Sequence, residues 1–264
     1  MKISIKMLGQ VTLIFAFIGL TCAADNTGAM TITPNPNPEG NTITVSGQSD
    51  SDQDAVGGDG PFSNHGTIEI LRGASLNNSG NRCCEAKDVT NESGGYINNS
   101  GFLLNPPKAI LINAGLVRNR EEGGMINNEG FWNNIGNGTL INEAGFGNDP
   151  GGVLINSASI ENYGKFYNRN TAKLTNDSVF VNYPGALLDN DGTFENYWSV
   201  PVQSDANDSS LENWGMLNNT SIFNNGGLLT NTSSGSLNNS GTFKNQSEGT
   251  LVNNGVLDTA TGIL

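Results

Sequence analysis

Large apolar residues along this chain stand alone, and the intervals between them repeat. Residues 235–258 read GSLNNSGTFKNQSEGTLVNNGVLD, in which Leu237, Phe243, Leu251 and Leu257 follow one another at steps of six, eight and six. Leu174 and Phe180 repeat the six-step, and Phe180 to Leu188 repeats the eight. Leu154, Ile160 and Phe166 make two six-steps in succession, with eight more to Leu174. Two positions after most of these residues stands Asn, and two further on stands Gly. The phrase is small-x-[Leu/Ile/Phe]-x-Asn-x-Gly-x-[Leu/Phe]-x-Asn, with good copies at GYINNSGFLLN, GGMINNEGFWNN, GALLDNDGTFEN and SSLENWGMLNN.

Such a pattern excludes helices, which need apolar residues every three or four positions and tolerate Gly and Asn poorly inside. It also excludes a hairpin meander, whose strands run to five or six alternating residues. The three-residue stroke L-x-N predicts a short strand whose first and third side chains point inward and whose second points outward. Gly and Asn both tolerate the left-handed region, so N-x-G is read as the corner that follows. Stacked corners would bring equivalent amides into register. Each amide carries donors and an acceptor, so a column of Asn can satisfy itself while buried. The predicted ladder includes Asn128, Asn142, Asn156, Asn176, Asn190, Asn213, Asn239 and Asn253. Leu, Ile and Phe would stack beside it, each contributing about 1.5–3 kcal/mol on full burial.

The expected fold is therefore all-β, a single-stranded parallel β-helix. Its Asn/Gly phrases resemble the repeats of bacterial secreted parallel β-helix proteins, broadly the filamentous-haemagglutinin-type adhesins, over about residues 62–264. The resemblance implies a right-handed solenoid with three-sided coils of about twenty residues. The six-six-eight run from Leu154 to Leu174 makes one such coil, whereas the commoner six-eight rhythm sums to fourteen.

Three segments break the rhythm. Residues 25–61 are rich in Pro, Gly and Asp, with two short strand candidates, MTIT and NTITV, and read as an N-terminal tail or solenoid cap. Residues 79–93 and 197–210 read as insertions, which in solenoids form loops on one face. At the start, Lys2 and Lys6 precede the apolar run VTLIFAFIGL and the small residues of TCAAD. This is the layout of a signal peptide, residues 1–24, with cleavage after Ala23 or Ala24. The run falls short of the roughly 20 residues that span a bilayer, and no second one follows, so no integral span is expected after cleavage. Leu20 sits poorly for a lipoprotein signal at Cys22. The expected location is secreted or cell-surface, with the periplasm as an alternative.

The net charge of −13 argues against a nucleic-acid partner, whose phosphates require Lys and Arg. Cys83 and Cys84 are adjacent, which does not make a disulfide scaffold. No cofactor is implied. His65 is the only histidine, so the usual zinc sets cannot form. Asp50, Asp52 and Asp54 begin like a calcium loop, but Ala55 stands where its glycine belongs and Pro61 where its glutamate belongs, leaving a weak metal candidate. Asp189, Asp191, Glu195, Glu161 and Glu212 are the carboxylates a carbohydrate-active β-helix enzyme would have to converge, and none is singled out as catalytic. Outward positions carry no row of Thr, which disfavours ice binding. Ile112, Ile141 and Ile155 occupy equivalent outward places and are read as an exposed interaction stripe, the alternative being that the N-terminal segment covers them. Asn77, Asn98, Asn218 and Asn238 begin N-x-[Ser/Thr] triplets and are read as ladder residues.

These features point to an exported, non-catalytic structural or adhesin-like solenoid that presents repeat faces to glycans or surface proteins. The alternatives are a polysaccharide lyase or glycoside hydrolase, and a fragment of a larger exported array. Unpaired strand edges at the last repeat predict end-to-end self-association.

Overall fold

The structure, a computed structural model of the chain, describes residues 31–32, 36–46, 54–56, 62–78, 88–197, 209–259 and 262. It is a β-solenoid without helices among those residues. Its strands, nearly all four residues long, fall into three parallel sheets of nine, ten and eleven strands. The chain visits the faces in fixed rotation. One coil runs through Phe131–Asn134 on the first face, Thr139–Asn142 on the second and Gly145–Asn148 on the third. The next coil repeats this as Val153–Asn156, Ser159–Asn162 and Lys165–Asn168, each in register on the strand below.

The stroke behaves as its chemistry requires. In Val153–Asn156, Leu154 and Asn156 are buried while Val153 and Ile155 point outward. The apolar residue of each stroke stacks on its counterpart one coil away. Phe194 and Phe223 lie 4.6 Å apart and Phe223 and Phe243 5.1 Å apart, both stacked. These spacings match the distance between paired strands, about 4.8 Å, so aromatic contact follows from the coil rise itself.

The amide ladders run on all three faces. On the first, Nδ2 of each Asn donates to Oδ1 of the next from Asn37 through Asn64, Asn91, Asn113, Asn134, Asn156, Asn176, Asn196 and Asn225 to Asn245. The second ladder runs from Asn99 through Asn142 and Asn213 to Asn253. The third runs from Asn78 through Asn128 and Asn190 to Asn239. Nδ2 also donates to a backbone carbonyl, as from Asn128 to Val153 at 3.2 Å. Within the ladders donors and acceptor are thus met inside the core, which keeps full burial of these amides from carrying its usual cost; Asn78 Oδ1, at the start of the third ladder, is buried without a partner.

Corner length explains the mixed rhythm. A six-step leaves two residues at the corner, as Glu129 and Gly130 between Asn128 and Phe131, and an eight-step leaves four, as residues 149–152. Coils of 6 + 6 + 8 and 6 + 8 + 8 both close three faces, so the fourteen-residue sum marks two sides of a triangle. The two corners use glycine for different reasons, which corrects the single left-handed explanation. Gly130 has no positive φ. A Cβ there would lie 2.4 Å from the carbonyl oxygens of Ala109 and Pro106, so the coils approach too closely for a side chain. Gly151, third in its four-residue corner, has φ 89°. Lys108 occupies the same third place with φ 71°, and Asn170, second in the corner 169–172, has φ 49°.

The boundaries also shift. Thr31–Ile32, Thr42–Val45 and Asp54–Val56 pair into the sheets, so coils begin within the segment read as a tail or cap. The phrase is hidden there because Val45 and Ile70 hold the inward place that Asn99 takes one coil later. Asp88–Asn91 is a regular strand paired with Ile110–Asn113, so coil structure resumes before the insertion expected over 79–93 would end. Residues 79–87 and 198–208, with Cys83 and Cys84, lie outside the described residues, as do residues 1–24.

Candidate binding surface

The fold separates several residues that their sequence positions appeared to equate. Ile112 and Ile155 lie on the first face, both in register with Asn133, which separates them. Ile141 lies on the second face between Arg118 and Glu161. The three therefore do not form one stripe. Their phrases match, but successive strokes belong to different faces. Ile110, Phe131 and Val153 adjoin Ile112 and Ile155 in the neighbouring outward row. The residue before each buried apolar residue also points outward, here before Leu111, Trp132 and Leu154. All five outward residues are half-buried.

The carboxylates are dispersed in the same way. Asp189 is on the third face, Glu195 on the first, and Glu161 and Glu212 on the second with Val181 between them. Asp189 is raised above the ordinary carboxylate range by burial and by Asp191. Asp177 is raised by burial and by Glu195, and Glu129 by burial and Asp149. Asp50 and Asp52 lie outside the described residues, and only the backbone of Asp54 is described, in the strand Asp54–Val56. Among the described residues no group of three or more metal-ligating side chains could hold an ion. His65 is exposed at a corner. The N-x-[Ser/Thr] reading needs correction. Asn77, Asn98, Asn218 and Asn238 occupy outward rows, and in each Asn-Asn pair the second residue enters the ladder.

What the fold does gather lies on the edge between the second and third faces. In five successive coils the residue after the second-face Asn stands there: Arg120, Glu143, Tyr163, Tyr183 and Trp214. Their backbone amides donate to the Asn carbonyl one coil below, which holds the column in line. Arg118 reaches Glu143 with two hydrogen bonds, Nη2 to Oε1 at 2.5 Å and Nε to Oε2 at 3.1 Å. That pairing holds the Arg118 guanidinium protonated above its ordinary range, through the hydrogen bonds first and the Glu143 charge second. Tyr163 and Tyr183 stack at 4.0 Å with 8° between their planes. The Tyr163 hydroxyl donates to Glu161 at 3.0 Å, and Trp214 Nε1 donates to Glu212 at 3.2 Å. Hydrogen bonding with Tyr183, burial and Glu161 together keep the Tyr163 phenol protonated.

Below this stack an open cleft of about 470 Å³ is lined by Arg118, Arg120, Glu121, Glu122, Glu143 and Tyr163. Its lower lip is the corner 120–124, a residue longer than the usual four. Arg120 Nε is buried without a hydrogen-bond partner. No sequence pattern singled these residues out, although the run REEGG in a corner and aromatic residues directly after ladder Asn were visible signals.

Comparison with protein-family models, curated proteins and solved structures finds no match to this chain. What the fold defines is the class, a three-sided parallel β-solenoid with internal Asn ladders.

Proposed function

We propose that this protein is an exported, non-catalytic β-solenoid that binds glycans or surface proteins in an adhesin-like manner, as in bacterial secreted solenoids. The observation that carries this is the edge column. Stacked and half-exposed aromatics, with carboxylates bonded to their polar tips, stand in line on a scaffold that is otherwise uniform. Aromatic side chains offer contact area at low entropic cost, and a rigid ladder behind them holds the surface ready for a ligand. The carboxylates named from the sequence lie on different faces, which favours binding over hydrolysis. The N-terminal run fits export to the outside or to a cell surface. Among the described residues no helix is long and apolar enough to cross a membrane. Self-association end to end is part of the proposal, since the inward ladder residues Asn245 and Asn253 are exposed.

The test is incubation of the purified protein with a panel of polysaccharides, scoring bound protein and newly released chain ends together. Binding without release is expected. Release of chain ends would replace this reading with the enzymatic one, and absence of binding to every polysaccharide and to cell surfaces would remove it.

A further inference from the structure

The cleft beneath Tyr163 carries enough geometry to name a ligand class. Tyr163 stacks on Tyr183, which lies one coil further along, so its other face is turned back toward the coil of Glu143 and the cleft. That face is a flat apolar platform with the negative side of an aromatic quadrupole presented to whatever lies on it. Opposite stands the lip of Arg120, Glu121 and Glu122. Arg118 and Glu143 neutralise one another across the floor. Arg120 supplies a buried Nε–H that lacks an acceptor, a need that a ligand oxygen would meet. Glu121 and Glu122 supply exposed acceptors. Gly145, two residues beyond Glu143, leaves the adjoining strand of the third face without an outward side chain, its nearest neighbour being Met125 Cε at 3.7 Å from where a Cβ would stand.

A ligand must therefore offer a flat C–H face to Tyr163, an oxygen acceptor to Arg120 and hydroxyl donors to Glu121 and Glu122. An anion meets the two rim carboxylates and the net charge of −13. A cation meets the positive charge of Arg120 and gives its buried Nε–H no acceptor, Arg118 being already paired with Glu143. A neutral pyranose ring satisfies all of these demands, with axial C–H bonds on one side and alternating donors and acceptors around its rim. We propose that the cleft of Arg118, Arg120, Glu121, Glu122, Glu143 and Tyr163 is a subsite for a neutral sugar residue stacked on Tyr163, an assignment that rests on the binding role proposed above.

Isothermal titration of the purified protein with laminaritetraose, cellotetraose, tetra-N-acetylchitotetraose and tetragalacturonate tests it. At least one neutral tetrasaccharide is expected to bind, with tetragalacturonate at least about tenfold weaker. Tyr163→Ala and Arg120→Ala should each weaken that binding by about tenfold or more. Ile155→Ser on the first face, away from the cleft, should leave it within about threefold. Melting temperatures of the variants near that of the parent protein show that the fold is retained. Binding unchanged in a folded Tyr163→Ala protein would overturn the cleft assignment while leaving the broader glycan reading in place. So would binding of long polysaccharides with no tetrasaccharide bound. Preference for tetragalacturonate would overturn the neutral-ligand chemistry.

Discussion

Thr139–Asn142 reads TLIN and Thr250–Asn253 reads TLVN, and both form strands on the second face. Their surroundings differ. Leu140 is fully buried, whereas Leu251 is only partly so. Asn142 accepts from Asn119 and donates to Asn162 and to the Lys165 carbonyl. Asn253 accepts from Asn231, and its own amide reaches only the Gly255 carbonyl at 3.3 Å. The phrase specifies the stroke and the corner. Burial, and with it most of the stabilisation, comes from the coil stacked on either side.

The largest expected contrast is in the apolar ladder. Leu140→Ala should cost about 3 kcal/mol through lost burial and the cavity left, and Leu251→Ala about 1 kcal/mol or less, measured by urea unfolding. Equal losses would show that the outer coil is as tightly covered as the inner. Next come the amides. Asn142→Ala strands a donor on Asn119 and an acceptor on Asn162, so about 2–4 kcal/mol should be lost, against less than about 1 kcal/mol for Asn253→Ala. Hydrogen exchange read along the chain should follow the same gradient, with amides of Thr139–Asn142 protected far longer than those of Thr250–Asn253.

A smaller effect separates the two kinds of corner. Lys108 holds a left-handed conformation that glycine adopts freely, so Lys108→Gly should stabilise by about 0.5–1 kcal/mol. Gly130→Val, at a corner with no room for a Cβ, should instead destabilise, and the pair separates conformational need from close approach.

The smallest effect is electrostatic. Glu129, Asp177 and Asp189 have carboxyl groups raised above their unfolded values, chiefly by burial. A raised group binds its proton more tightly folded than unfolded. Its favourable contribution is full below the ordinary carboxylate range, near pH 4, and is lost as pH climbs through the raised value. Stability from these three should therefore increase on mild acidification. Asp177→Asn with Asp189→Asn should flatten that slope and raise the melting temperature at neutral pH. A slope unchanged in the double variant would assign it to other groups.

Much of the fold was legible because its signal is local. One apolar residue, one Asn and one small residue define a strand and a corner without reference to anything distant, and the ladder positions Asn128, Asn142 and Asn156 follow from that spacing. The first coils were illegible for the converse reason. Val45 and Ile70 fill the ladder place on the second face with apolar side chains, so the phrase vanishes though the geometry persists. The edge site was harder still, because Arg118, Glu143 and Tyr163 belong to three different coils.

By itself, then, the amino-acid order determined the alternation of inward and outward residues and the amide ladder, since each depends on backbone preferences within a few residues, whereas the closing of three strokes into one coil was decided by the tertiary structure. Which outward residues become neighbours was decided only by tertiary structure. Contact across coils depends on the summed length of three corners; from Asp88 to Asn196 each takes two, four or five residues, while residues 197–209 join Asn196 to Ser210. Ile112 and Ile141 look equivalent in sequence yet lie on different faces, while Arg118 and Glu143, 25 residues apart, meet at 2.5 Å.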